Sequence, residues 1–363
     1  MQPGETTINQ FQSSLLAWYA AHRRDLPWRK TRDPYAIWVS EVMLQQTQAD
    51  VVTSYYLRFI RRFPTVNELA EAEPGEVMKM WEGLGYYGRA RHLHNAAKEV
   101  ANRFGGHVPC DATLFRSLPG VGAYTAGAVL SIACGLPVPA VDGNVMRVLS
   151  RVFHVTENVQ QVRTKKHLTD LAESLLPLEQ PGDFNQALME LGALVCIPRN
   201  PLCQDCPLAV LCEAKKLGIQ NALPVRSPRK PVPHYDVTAG VIWRDDTFLI
   251  TLRPPRGLLG GLWEFPGGKC EPDEDLTHCI VREIQEELAI QVAVNSAIIS
   301  VDHAYTHFKI TLHAFHCRFL GGNIRPIACD DYRWITASEL DAFAFPSADR
   351  KIIDHLKQNG GFQ

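Results

Sequence analysis

The chain has 363 residues, enough for two domains that each bury a core of their own. Its hydrophobic fraction of 46% and charged fraction of 21% are those of a globular protein, and no run of 18 or more apolar residues exists to span a membrane. The net charge of −2 hides an asymmetry: residues 1–230 carry 25 Lys+Arg against 21 Asp+Glu, and residues 231–363 carry 12 against 18. A modestly basic first part is compatible with a polyanionic partner without demanding one. The polar start, Met1–Asn9, lacks the basic-then-apolar order of a signal peptide, which predicts a cytoplasmic protein.

From Phe11 to about Leu217 apolar residues recur three and four apart, with short breaks at proline and glycine. That period predicts an all-helical domain, with helices over Phe11–Tyr19, Tyr35–Thr47, Val51–Phe63, Arg89–Phe104 and Ala123–Cys134. In the second of these, Asp33 suits an N-cap and Pro34 the first turn. Ile37, Glu41 and Leu44 then share one face, so the Glu41 carboxyl lies in an apolar stripe. Burial there raises a carboxyl's pKa, which suits an acid working near neutrality, although a structural glutamate would look the same. Gly83-Leu84-Gly85-Tyr86-Tyr87 sets two tyrosines after flexible glycines, a pattern that fits either a wedge into a base stack or core aromatics.

Further on, Leu118-Pro119-Gly120-Val121-Gly122 precedes an apolar helix. Gly120 and Gly122 around one β-branched residue make a tight hairpin, and the helix N-terminus after it is a seat for a phosphate. Twenty residues past Gly122 stands Asp142, in Val141-Asp142-Gly143-Asn144, where an N-cap is the commoner role for an aspartate. Of the ten cysteines, Cys196, Cys203, Cys206 and Cys212 crowd into one loop as C-x6-C-x2-C-x5-C. Four thiolates suit zinc, but the spacing is wider than that of paired zinc knuckles. The other six, Cys110, Cys134, Cys270, Cys279, Cys317 and Cys329, show no ligand spacing and read as buried or incidental thiols.

The order of hairpin, aspartate and four-cysteine loop resembles the endonuclease III superfamily of DNA glycosylases over roughly residues 10–215. The resemblance implies that the hairpin (about 112–134) grips the DNA backbone and that the loop 196–212 binds a 4Fe–4S cluster through its four thiolates. It also implies that Asp142 faces the sugar of an extruded nucleotide, with Asn144 orienting it. Members that cleave the strand carry a lysine where this chain has Tyr124, and a phenol forms no Schiff base. Base removal without efficient strand scission is therefore expected. Glu41 with Gln45-Gln46-Thr47 resembles the MutY-type adenine glycosylases, in which this glutamate protonates adenine. The same resemblance gives Tyr86 to the oxidised guanine, Gln46 to the opposite strand, and Gln186 and Arg29 to the adenine pocket.

Leu223–His234 holds four prolines with Arg226, Arg229 and Lys230, a composition for an extended basic linker. Beyond it the period shortens to two: Val237–Trp243, Thr247–Leu252, Ala297–His303 and Lys309–Phe319 read as strands, and Leu276–Leu288 as a helix. Domains are thus expected at 1–225 (helical), 226–234 (linker) and 235–363 (α+β). Gly268-x5-Glu274-x7-Arg282-Glu283-x2-Glu286-Glu287 follows the Nudix box, with Ala289 in place of its final glycine. Glu283, Glu286 and Glu287 fall on one helical face and could hold magnesium. MutY relatives use a Nudix-like domain to recognise 8-oxoguanine through a Phe-Ser-His tripeptide, and Tyr305-Thr306-His307 occupies the equivalent stretch here.

The reading that follows is a monomeric glycosylase removing adenine opposite 8-oxoguanine or guanine in duplex DNA. Its rivals are an endonuclease III-like lyase, a Nudix pyrophosphatase and a non-catalytic lesion-binding module.

Overall fold

The computed structural model describes residues 3–228 and 231–361. Contacts group them into two compact units, and one of these is discontinuous in sequence. The first comprises the chain up to Glu71 and from His92 to the linker; the second joins Ala72–Arg91 to the chain beyond the linker. The linker residues Arg229 and Lys230 lie outside the described residues. No helix among the described residues is long and apolar enough to cross a membrane.

The first unit is all helical: α1 (Glu5–His22), α2 (Pro34–Leu44), α3 (Ala49–Arg62), α4 (Val66–Glu71), most of α6 (Gly88–Phe104), α7 (Ala112–Arg116), α8 (Ala123–Ile132), α9 (Gly143–Val152), α10 (Val162–Leu175), α11 (Pro181–Leu194) and α12 (Glu213–Lys216). The Asp33 carboxylate caps α2, accepting from the backbone N–H of Tyr35 (3.2 Å) and Ala36 (3.3 Å), with Pro34 opening the helix. The helix is then buried from Tyr35 to Met43, all round rather than along one stripe, and packs on α8 at the centre of the unit. Around α11, Phe184, Leu188 and Leu191 join Phe11 and Leu15 of α1 and Val145, Val148 and Leu149 of α9 in one core. At Gly192 a Cβ would lie 2.6 Å from Cβ of Asn144, so only glycine lets α11 approach the start of α9 this closely.

Cys110 and Cys134, read from the sequence as incidental thiols, are instead joined in a disulfide with their Cα atoms 5.8 Å apart. The hairpin explains the difference: α7 and α8 run back on each other, so the chain two residues before α7 meets the chain two residues after α8. Their spacing along the chain carries no sign of it.

The second unit begins with α5 (Pro74–Trp81). Its sheet holds β1 (His234–Arg244), β2 (Thr247–Leu252), β3 (Trp263–Glu264), β4 (Gln291–Ala304), β5 (Lys309–Gly321) and β6 (Asp331–Ile335). The order is β3-β2-β1-β5-β4, with β6 also on β2; β1 and β5 are parallel and the other pairs antiparallel. Helix α13 (Leu276–Leu288) covers one face through Ile280, Ile284 and Leu288, and α14 (Ser347–Gln358) the other through Ile352, Ile353 and Leu356. Segment 72–91 is fastened to this unit at Glu82, whose Oε1 accepts from Phe345 N (2.9 Å) and Arg350 Nε (2.7 Å), and at Lys79, which donates to Phe343 O (2.9 Å).

Candidate active site

Within the first unit a cavity of about 390 Å³, the size of a small-molecule pocket, gathers all four catalytic candidates and three of the DNA-contacting ones. Glu41 from α2, Tyr124 from α8, Asp142 and Asn144 at the start of α9, Gln186 from α11, and Arg29 with Thr47 all line it. Glu41 is buried, and the Tyr124 hydroxyl donates to its Oε2 at 2.7 Å. Asp142 is the N-cap of α9: Oδ1 accepts from Val145 N (2.7 Å) and Oδ2 from Asn144 Nδ2 (2.8 Å). The commoner capping role and the position in the cavity thus coincide in one residue.

Burial pushes the Glu41 carboxyl up to about 7, against the pull of the Tyr124 hydrogen bond and of Arg29, and the Asp142 charge adds to the rise. Burial also raises Asp142, while its bonds to Val145 and Asn144 and the charge of Arg147 hold it down. Two carboxyls therefore share one cavity in different surroundings, one favoured neutral by its apolar setting and one braced by N–H donors. A third acid behaves in the opposite way. Burial alone would lift Glu190, but Arg29 and Arg24 hold it down at about 2. Arg29 donates to both its carboxylate oxygens (2.9 Å each), as Arg24 does (3.0 and 2.8 Å). Arg29 thus lines the cavity as half of an ion pair. Glu190, Arg24 and Met189, which accepts from Tyr124 at 3.3 Å, carry no signal in the sequence pattern.

A hydrogen-bonded chain leads out of the cavity. Asn144 Oδ1 accepts from Arg147 Nη2 (2.8 Å), and Arg147 Nε donates to the carbonyl of Cys196 (2.7 Å). Cys196, Cys203, Cys206 and Cys212 line one small cavity together with Arg151. Arg151 is almost fully buried and donates to Cys196 Sγ (3.2 Å) and to the carbonyls of Ile197 (2.8 Å) and Pro198 (2.9 Å). Among the described residues, no three of the four sulfurs lie within 4.8 Å of one another. A single tetrahedral ion would draw them to about 3.8 Å through bonds of about 2.3 Å. Four thiol donors, this spread and a buried cation beside them fit an anionic cluster better than one ion.

The hairpin positions Gly120 and Gly122 differ in kind. Gly120 has φ +75, and a Cβ there would lie 2.5 Å from Cβ of His92. Gly122 has ordinary φ and open space around it, and as N-cap of α8 it offers no capping side chain. Gln45 donates to Thr125 Oγ1 at 3.1 Å, whereas Gln46 is exposed in the left-handed region at φ 60.

In the second unit, Tyr86 is also left-handed (φ 49) and exposed, and its hydroxyl meets Thr306 Oγ1 at 2.9 Å. Two candidates 220 positions apart are thereby joined. Tyr305 packs inward on Phe308 and His303, with ring centroids 4.8 and 4.6 Å away, while His307 is exposed. Of the Nudix-box acids, Glu283 and Glu286 both accept from Arg282, at 2.8 and 3.2 Å. Ala289 takes the left-handed conformation (φ 57, ψ 32) that glycine would take.

Residues 39–174 match the family of HhH-GPD superfamily base excision DNA repair proteins, and residues 238–355 match the NUDIX domain family. The adenine DNA glycosylase of Rattus norvegicus is 38% identical over 95% of this chain and 78% of its own length. That of Homo sapiens is 36% identical over 95% of this chain and 74% of its own. The structure of a thermostable thymine-DNA glycosylase superposes with a TM-score of 0.54 at 35% identity, over 58% of this chain and 98% of that one. Similarity at this level along nearly the whole chain makes it a member of the adenine DNA glycosylase family of base-excision repair enzymes.

Proposed function

We propose that the chain excises adenine paired with 8-oxoguanine or guanine in duplex DNA, with Glu41 as the acid and Asp142 as the stabiliser of the sugar cation. The observation that carries this is the buried Glu41 carboxyl, held near neutrality in pKa and sharing its cavity with Asp142. With adenine extruded into the cavity beside Gln186, a protonated Glu41 gives its proton to N7. The C1′–N9 bond then breaks, and the bonding pair leaves with the base. The cation left on the sugar is met by the Asp142 carboxylate, which Val145 N–H and Asn144 keep aimed. Glu41, now a carboxylate, keeps the hydrogen bond from Tyr124, whose phenol offers no amine for a Schiff base, and takes the proton of the water that adds at C1′, which restores the acid.

Cys196, Cys203, Cys206 and Cys212 are proposed to ligate a 4Fe–4S cluster whose part is to stiffen the loop. The free N-terminus of α8 behind Gly122 suits a DNA phosphate. Gln45, Gln46 and Thr47 suit the strand around the adenine, and Tyr86 with Tyr305, Thr306 and His307 the oxidised guanine. In this reading residues 1–225 hold the chemistry, and 235–363 together with Tyr86 the recognition of the oxidised guanine, in a monomer. Arg282's hold on Glu283 and Glu286 favours a binding role for the Nudix-like part over magnesium-dependent hydrolysis.

The test is single-turnover release of adenine from a duplex with adenine opposite 8-oxoguanine, comparing wild type with Asp142→Asn. Release by wild type and its near-absence in the variant are expected. No release by either protein, with the cluster intact, would remove the glycosylase mechanism.

A further inference from the structure

We propose that Cys270, Glu274 and Cys279 form a binding site for a thiophilic divalent cation in the second unit, zinc being the ion that best suits two sulfurs and a carboxylate. Their ligand atoms all lie within 4.8 Å of one another. Bonds of about 2.3 Å to sulfur and about 2.0 Å to oxygen set ligands just under 4 Å apart, so a small inward shift completes the shell. Hard cations such as magnesium prefer all-oxygen shells, which these donors do not make.

The three donors come from positions the backbone already fixes. Cys270 N donates to Asp236 O (3.0 Å), tying its loop to β1. Glu274 closes a turn in which its N–H reaches Glu271 O (3.2 Å) and its carboxylate accepts from Glu271 N (2.8 Å). Cys279 lies in the first turns of α13, fully buried, with Thr238 Oγ1 at 3.4 Å. Cys270 is partly exposed, so an ion has a way in and keeps one position open on that side.

Arg282 is the competitor. It holds both oxygens of Glu274 at 2.8 Å, and its Nη2 lies 3.9 Å from Cys279 Sγ. Binding releases the two thiol protons to the buffer, and the resulting two thiolates with one carboxylate supply enough negative charge for the ion and the guanidinium together, so zinc draws one oxygen away and leaves Arg282 more fully with Glu283 and Glu286. The ion would clip the loop after Gly268 to α13 on a surface that the glycosylase chemistry does not use.

The test uses the full-length holoprotein in reducing buffer. It is incubated with zinc and freed of unbound metal by gel filtration, and its metal content and cluster absorbance are measured. One zinc per chain with unchanged cluster absorbance is expected for wild type, none for Cys270→Ser/Cys279→Ser, and about tenfold or weaker affinity for Glu274→Gln. Wild type without zinc, or equal zinc in the double variant, overturns the assignment. Should the double variant fail to fold, zinc-edge X-ray absorption on wild type decides the matter: a shell of two sulfurs with oxygen supports the site, and a four-sulfur or sulfur-free shell overturns it.

Discussion

Burial and the Tyr124 hydroxyl act on the Glu41 proton in opposite senses. Burial raises the Glu41 pKa to about 7, and the Tyr124 hydroxyl, bonding to the carboxylate form, lowers it. An acid must hold its proton to act, so adenine release should fall as pH rises through about 7. Tyr124→Phe removes the bond that favours the carboxylate, and the alkaline limb should then move to higher pH, while Glu41→Gln should slow release about 10²–10⁴-fold at every pH. Single-turnover rates from pH 5 to 9 check both; a limb unmoved in Tyr124→Phe would mean that another group sets it. Glu41, Tyr124 and Asp142 could be singled out in the sequence because each sits in a local pattern (a capped helix, a hairpin followed by a helix, an N-cap) to which the family resemblance attaches a role. Glu190 is not. Its partners Arg24 and Arg29 stand 166 and 161 positions away, and only the packing of α11 against the N-terminal segment creates the pair. Helical periodicity marks Glu190 as a position and says nothing of its charge partners.

Elements show the same division between local and long-range causes. The expected spans of α13 and β2 coincide with those observed, since Asp275 caps the helix by accepting from backbone N–H groups and the short apolar run Phe248-Leu249-Ile250, buried on both faces, marks the strand. The helix expected over Tyr35–Thr47 stops at Leu44 because Gln45 leaves the helical region at ψ 111 and Gln46 follows with a left-handed φ, which a right-handed helix does not continue. At the end of α13, Ala289 holds a left-handed conformation without glycine's freedom. Ala289→Gly should therefore stabilise the second unit by about 1 kcal/mol, read from the midpoint of urea denaturation. The Cys110–Cys134 bond encloses α7, the hairpin and α8, with a sequence separation of 24. By the chain-entropy argument its removal in Cys110→Ser/Cys134→Ser should cost about 3 kcal/mol. The loss should vanish when wild type is measured reduced; if it persists, the serines rather than the open bond are its cause.

At the scale of the molecule, the grouping of Ala72–Arg91 with the residues beyond the linker is invisible to periodicity, because α5 has an ordinary amphipathic pattern. Its evidence is a handful of long-range bonds centred on Glu82, which is largely shielded from water. Glu82→Ala leaves Phe345 N–H without its acceptor and Arg350 without its nearest carboxylate. It should destabilise the second unit by about 2–4 kcal/mol, seen as an earlier unfolding transition in the full chain. An unchanged transition would mean that the segment adds nothing to that unit's stability.

The same discontinuity imposes an order on synthesis. The segment carrying Lys79, Glu82 and Tyr86 leaves the ribosome roughly 250 residues before Phe343 and Arg350, which at about 5–20 residues per second is a wait of about 10–50 s. During that interval the helices on either side can assemble while the segment between them has no counterpart to bond. The later unit must then complete itself on a strip of chain already anchored at both ends, so a piece of the second unit is in place before the rest of it has been translated.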